Sequence, residues 1–452
     1  MASHQIDFST GSVSKKILEV ALPMTAAQIL NLLYNIIDRI YIGRIPGSGA
    51  LALTGVGLCF PIITFVSAFS MLFGGGGSPL CSIQRGEGNI PEAEKIMGTA
   101  FSMLLITGAV LTVSGIIFHK PILYLFGASE STFSYARDYI LIYLMGSVFV
   151  MISLGMNPFI NTQGFPRIGM LTVLLGAVAN IILDPIFIFV FSMGVRGAAI
   201  ATVISQALSA MWVLRFLTGP RAELKIRFRH MVVRWHRLKN IVALGFSTFV
   251  MGMTNSLVQV VCNVTLRNYG GDLYVGVMTV LNSVREIFSL PLSGLTNGAI
   301  PVMSFNYGSK AYKRVKDAIR FISIAGIGYS LAAWLVVLLF PEVFIRIFTS
   351  DPGLIEAGIP SLHIYFYGFF MMALQFSGQN TFVSLGKAKQ ATFFSIFRKV
   401  IIVVPLTLIL PGIGGLGVNG VFWAEPISNV IGGLACFITM LCTVMPGLKG
   451  KE

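Results

Sequence analysis

Asn180 and Asp184 stand four residues apart within the stretch 179–187, which reads ANIILDPIF. On a helix that spacing puts both side chains on one face. An acid beside an amide in an apolar segment could bind and release a proton, because burial penalises the charged form of a carboxyl group. The same oxygens could instead coordinate a hard monovalent cation, and the residues leave both chemistries open. Pro185 follows directly. It has no N–H to offer the carbonyl of Ile181, and its ring pushes that carbonyl away. Backbone freed in this way inside a bilayer must find protein or water. A kink beside an acid therefore points to a wet cavity and away from lipid.

The elements that must position these residues are apolar helices. Of 452 residues, 55% are hydrophobic and only 11% charged, against roughly a quarter charged in a soluble domain. Mean hydropathy is +0.81. About 20 mostly apolar residues cross a bilayer. Segments of that kind fall near 17–42, 51–76, 96–118, 134–161, 168–192, 196–218, 241–265, 273–300, 318–340, 357–384, 391–411 and 417–444. No alternating strand pattern appears, so helices are the expected way across. The polar first sixteen residues lack the pattern of a cleavable signal peptide.

Depth then groups the polar residues. At 1.5 Å per residue, Asp184 lies ~12 Å inside the outer end of the fifth span. Thr202 lies ~9 Å into the sixth from the same side, and Asp38 ~6 Å inside the outer end of the first. Asp38, Asn180, Asp184 and Thr202 can thus line one polar pocket. The plainer alternatives are an interfacial pairing of Asp38 with Arg39 or Arg44, and a structural hydrogen bond for Asp184. Two further intramembrane acids stand elsewhere. Glu286 follows Arg285 near mid-span, where it could attract a cationic substrate or join an internal ion pair with Arg285. Glu425 precedes Pro426 and could form a second ionisable site.

Other motifs carry less. The run Gly74–Gly77 is followed by Ser78, Pro79 and Leu80, without the Lys-Ser/Thr of a phosphate-binding loop. Glycines at a span end allow close helix approach. The five cysteines are odd in number and lack metal-ligand spacing, so neither a disulfide framework nor a metal centre is expected.

The net charge of +14 could suggest nucleic acid, but its distribution argues for topology. Lys15, Lys16, Arg85, Lys95 and Arg167 lie on the side of the N-terminus. So do the basic residues of the 219–240 loop, then Lys310, Lys313, Arg314, Lys316 and Arg320, then Lys387, Lys389, Arg398 and Lys399, and finally Lys449 and Lys451. That asymmetry places both termini in the cytoplasm, with basic loops on anionic lipid.

The chain also repeats itself at an offset of about 222 residues. Val20-Ala21-Leu22 recurs as Val242-Ala243-Leu244, and Gly76, Pro79, Ser82 and Gly86 recur as Gly298, Pro301, Ser304 and Gly308. The segment GVRGAAIATVIS at 194–205 matches GVNGVFWAEPIS at 417–428. Each half holds six spans, so the halves should be related by an axis along the membrane normal. The expected domains are an N-lobe over 1–218, a basic linker over 219–240 and a C-lobe over 241–452. At the repeat offset Asp38 becomes Val260, Asn180 becomes Ile402 and Asp184 becomes Leu406, while Glu425 takes the place of Thr202. The polar pocket belongs to the first half alone.

The NIIDRIYIGR end of the first span, the ANIILDPIF of the fifth, the GVRGAAIAT of the sixth and the duplicated Gly-Pro-Ser-Gly pattern together resemble the multidrug and toxic compound extrusion (MATE) family, most closely its bacterial multidrug-pump branch. The resemblance covers nearly the whole chain. It implies two six-helix bundles in a bacterial cytoplasmic membrane and an antiporter that exports amphipathic, often cationic, compounds against protons or sodium. It implies an ion-coupling set of Asp38, Asn180, Asp184 and Thr202, while some relatives carry acids in the C-lobe, where Glu286 and Glu425 could serve. Met, aromatic and amide side chains suit promiscuous binding. Tyr34, Asn35, Met156, Asn157, Phe159, Glu286, Met371 and Gln375 are the expected lining of a cleft between the halves. No cofactor, enzyme activity or nucleic-acid partner is expected, and the transporter is expected to act as a monomer among membrane lipids. The alternative is a flippase or exporter of a lipid-linked or metabolite substrate. That activity would want a cationic cleft, for which the spans supply Arg285 and Arg39.

Overall fold

The computed structural model describes residues 5–449, so the basic residue expected at Lys451, together with the side chain of Lys449, lies outside the described residues. The described chain is almost wholly helical, and no strand occurs in it. Nine of its helices are long and apolar enough to cross a membrane, and two bent pairs, Glu130–Met145 with Ser147–Thr162 and Pro352–Phe366 with Phe369–Ser384, add one crossing each. One of the nine, Trp235–Gly308, breaks at Gly271, where φ is +71°. A backbone there falls in the region glycine enters without steric cost. That break separates two crossings, and the layout has twelve.

Local sequence sets where helices start and bend. Asn89 caps the Ile90–Leu125 helix by accepting from the Glu92 amide at 3.3 Å, and Asp351 accepts from the amides of Gly353 and Leu354. Both caps precede a proline in the first turn, where its missing N–H costs nothing. Along the Ile90–Leu125 helix, Ile106, Val110, Val113 and Ile117 are all exposed. The spacing makes them one apolar stripe, which a lipid exterior accommodates.

The chain forms two compact units. One comprises Met1–Ser9 and Leu22–Phe249, the other Thr10–Ala21 and Val250–Glu452. The N-terminal turns of the first helix therefore belong to the second unit, and the first turns of the Trp235–Gly308 segment belong to the first. The glycines of the repeat show why. A Cβ on Gly76 would lie 2.1 Å from the carbonyl oxygen of Ile241, and one on Gly298 would lie 2.6 Å from the Cα of Ala21. In each unit a repeat-related glycine thus seats the helix start contributed by the other half of the chain. Gly74 likewise packs directly on backbone, that of Gly155 within its own half. The glycine run serves close helix packing.

Residues 219–240 lie within the first unit and are bound to it. Glu94, almost fully buried, accepts from the Lys225 amide at 3.0 Å and meets Arg227 at 3.2 Å and His230 at 3.1 Å. Gln163 accepts from the Leu224 amide at 2.9 Å, Arg85 pairs with Glu223 at 2.8 Å, and Arg237 Nη2 donates to Glu92 at 3.0 Å. A basic connector between moving halves was the expectation. Over its length the segment is docked as a strap whose charges meet the acids of the helix ends beneath it.

The two apolar cores are separate. Phe159, Met97, Leu104 and Ile140 are fully buried in the first, and Leu266, Leu281, Leu362 and Phe422 in the second.

Candidate functional site

The Pro166–Pro185 helix ends at its proline, and Ile186–Val190 continues as a single π-helical stretch. Its widened winding closes with the Phe191 amide donating to the Ile186 carbonyl at 2.9 Å. Such turns are uncommon and concentrate where a helix must re-aim side chains. Within the last turn and a half up to the proline, Asn180 and Asp184 are turned inward, with Asp184 fully buried and Asn180 2% exposed. Asn180 Nδ2 donates to Asp184 Oδ1 at 3.2 Å and reaches Thr202 Oγ1 at 3.5 Å. Thr202, on the Val195–Thr218 helix, spends its own proton on the Ala198 carbonyl at 3.0 Å. Its oxygen is therefore free to accept from Asn180.

Asp38 completes the group. Its carboxyl group lies beside that of Asp184, and each acts on the other. It forms no ion pair with Arg39 or Arg44 among the described residues. Arg39 lies over the Phe60 ring at 4.4 Å, and Arg44 is exposed. Arg39 acts on Asp38 only as a nearby charge, while the carboxyl group faces Asp184. Tyr34 and Tyr139 stand near the acids, and Tyr139 also abuts Thr202.

The oxygens of this cluster suit a cation. Asp38 Oδ1, Asp184 Oδ2 and Asn180 Oδ1 are all buried and lack a hydrogen-bond donor in the protein. Buried acceptors are nearly always paired, and two neighbouring carboxylates repel unless positive charge lies between them. A proton or a monovalent cation meets both demands.

Beside the cluster lies a cavity of about 260 Å³, wholly within the first unit. Tyr34, Asn180 and Thr202 belong to its wall, together with Met24, Met71, Leu154 and Met170. Amides and hydroxyls are set among them: Asn157 donates to the Gly169 carbonyl at 3.2 Å, and Ser153 to Gln206 at 2.7 Å. The mixture of thioether, apolar and neutral polar surface suits a varied set of amphipathic molecules.

The other expected lining residues scatter. Asn157 and Tyr34 reach this cavity. Asn35 turns back to the Asn31 carbonyl at 2.7 Å. Met156 and Phe159 are fully buried in the first core and pack there. In the second unit, Gln375 is buried and the Met371 carbonyl abuts Gly433, while Glu286 is exposed at the edge of a different cavity. Sequence reasoning missed Gln28, Asn31, Asn161 and Gln206 on the cavity wall, although each is an amide within an apolar helix and could have been flagged as such.

Arg285 also departs from expectation. Its partner is Glu425, at 2.6 Å, and not its neighbour Glu286. Arg398 and Lys399, expected among the basic residues on the side of the N-terminus, lie inside the helical segment that runs from Ala388 to Gly412 and meet the same Glu425.

A polytopic helical membrane protein with two packed units and an acid pair beside an amphipathic cavity has the parts of a secondary transporter. The MatE family model matches residues 23–186 and 248–409, one match in each repeat, and the chain belongs to that family. It is similar to the multidrug export protein MepA of Staphylococcus haemolyticus (strain JCSC1435), with 25% identity over 424 residues that cover 94% of this chain and 92% of that one. Its fold is that of a MATE protein solved in a bent conformation (TM-score 0.91, 23% identity, 97% of each chain). It is equally that of an outward-facing multidrug resistance MATE transporter of the MOP superfamily (TM-score 0.90, 22% identity, 97% of each chain).

Proposed function

We propose that the protein is a secondary active multidrug exporter. It moves amphipathic, often cationic, compounds out across a bacterial cytoplasmic membrane in exchange for a proton or a sodium ion. Both of its termini are then cytoplasmic. The single observation that carries this reading is a shared wall: Tyr34, Asn180 and Thr202 line the cavity and also contact or face the Asp38–Asp184 pair.

That wall supplies a coupling mechanism. With a cation between the carboxyl groups, the charge between them is neutralised and Asn180 is freed to reorient. With the cation gone, the acids repel and draw donors, Asn180 Nδ2 foremost. Either change alters the surface presented to a compound in the cavity. An ion can drive export only if it binds two states of the protein with different affinity, and the shared residues give it that leverage. A cationic compound near the acids would also compete with the ion directly, through charge. The names of the MepA relatives as multidrug export proteins support the substrate class.

The test is ethidium transport in everted vesicles carrying this chain. An imposed proton or sodium gradient should drive ethidium uptake into the vesicles, and the gradient that does so names the coupling ion. Movement that is indifferent to both gradients would exclude antiport.

A further inference from the structure

The second unit encloses a cavity of about 380 Å³ that the export reading does not use. Its charged end is unusual. Glu425 is 4% exposed, and its Oε1 accepts from Arg285 Nη1 at 2.6 Å, Arg398 Nη1 at 3.0 Å and Lys399 Nζ at 3.1 Å. Lys399, also 4% exposed, reaches Oε2 at 3.3 Å. Three cations therefore converge on a single carboxylate. Of the neighbouring polar groups, Asn429 accepts from Arg398 at 2.7 Å but carries no charge. Glu286, exposed at the cavity edge, acts on Arg285 as a nearby charge but forms an ion pair with none of the three among the described residues.

The backbone is shaped for this convergence. Consecutive residues on an ordinary α-helix diverge and do not meet one partner. Phe397–Val403 is wound as a π-helix, which narrows the angle between successive side chains and lets Arg398 and Lys399 share Glu425. Surplus positive charge in a membrane interior is costly and marks ion or substrate sites. A buried charge surplus is stable only when something of opposite sign is close.

The cations also have capacity to spare. Arg285 has five N–H donors in a planar fork, and only one of its hydrogen bonds to the protein is made among the described residues. Its guanidinium lies 5.4 Å from the Tyr365 ring centre, and both side chains line the cavity with Lys399. Val258, Met278 and Val421 supply apolar surface to the same cavity, beside the amides of Asn255, Gln259 and Asn282.

We propose that this cavity binds the carboxylate of an amphipathic organic anion, held by Arg285 and Lys399, with its apolar body against Val258, Met278 and Val421. Glu425 is the internal competitor that occupies the same cations. An arginine fork matches a carboxylate in two parallel hydrogen bonds, and a neutral ester cannot replace it. The cavity lies in the unit that lacks the Asp38–Asp184 pair, so the chain carries one site for positive charge and one for negative. The inference concerns equilibrium binding, and failure of coupled export would leave it standing.

The experiment titrates purified full-length protein in detergent with 1-pyrenebutyrate and, separately, with its methyl ester, following pyrene fluorescence anisotropy. The acid should bind saturably and about tenfold or more tighter than the ester, as expected for charge-assisted hydrogen bonds. Arg285→Gln should remove that preference, and Arg285→Lys should restore part of it. Glu425→Gln should tighten binding of the acid. Equal binding of acid and ester by the unaltered protein would overturn the proposal without reference to any variant. Competition by chloride as effective as that by butyrate would also overturn it, since the apolar wall would then contribute nothing. In a well-folded Arg285→Gln protein, an unchanged acid preference would do the same.

Discussion

Asn180 Nδ2 lies 3.2 Å from Asp184 Oδ1, one turn along the same helix, and its other reach is to Thr202 at 3.5 Å on the next helix. One amide thus joins the acid that would carry the ion to a wall of the cavity that would carry the drug. If that link couples the two, Asn180→Ala should alter both dependences at once. We expect the ion concentration for half-maximal export and the affinity for ethidium to shift together. Vesicle transport and equilibrium dye binding measure the two. A change in one alone would place Asn180 outside the coupling path.

Thr202→Val keeps shape and removes the hydroxyl that contacts Asn180. Losing a neutral hydrogen bond costs about 0.5–1.5 kcal/mol, so a few-fold weaker response to the ion is expected with the fold intact. Export kinetics at several ion concentrations would show it. A protein with an unchanged ion response would limit the role of Thr202 to the cavity wall.

The glycine contacts predict position-specific intolerance. A Cβ at Gly245 would stand 1.8 Å from the Leu72 carbonyl oxygen, whereas at Gly252 nothing lies within 4 Å. Gly245→Ala should destabilise the first unit by about 1–3 kcal/mol or more, the range for overpacking. Gly252→Ala should be neutral or mildly stabilising through helix propensity. Thermal unfolding in detergent compares them directly.

The strap over 219–240 should loosen when Glu94 loses its charge. Glu94→Gln weakens the contacts to Arg227 and His230 while keeping an acceptor for the Lys225 amide. Trypsin should then cut at Arg227, Arg229 or Arg234 several times faster. Equal cleavage rates would show that Leu224 and Ala222, both buried, hold the strap without the charges.

Much of this arrangement was legible because a helix has a fixed rise and repeat. Four-residue spacing and depth along three spans brought Asp38, Asn180, Asp184 and Thr202 together on paper, and the coordinates bring them together in space. The internal repeat added that Leu406 occupies the place of Asp184, so the bundle itself does not require an acid there. Long-range choices were not legible. Arg285 passes over its neighbour Glu286 for Glu425, 140 residues away. Arg398 and Lys399 fall inside the expected 391–411 span yet were counted with the basic residues of the N-terminal side, and a π-helical turn that brings both to one acid leaves no mark on hydropathy. Met156 and Phe159 were placed at a cleft by residue type. Ser153, Asn157 and Asn161, four residues apart, mark the cavity face of their helix and leave Met156 and Phe159 on the core side. The exchange of helix starts between units depends on which glycine meets which backbone, and only coordinates supply that.

The central claim is that export is driven by an ion held between Asp38 and Asp184. Asp184→Asn keeps the size of the side chain and an acceptor for Asn180 but removes the charge. The most direct measurement is ethidium uptake into everted vesicles under an imposed proton gradient and, separately, a sodium gradient, comparing this variant with the unaltered protein at equal expression. The account predicts gradient-driven uptake by the unaltered protein and none by Asp184→Asn under either gradient. Uptake by the variant equal to that of the unaltered protein would contradict it.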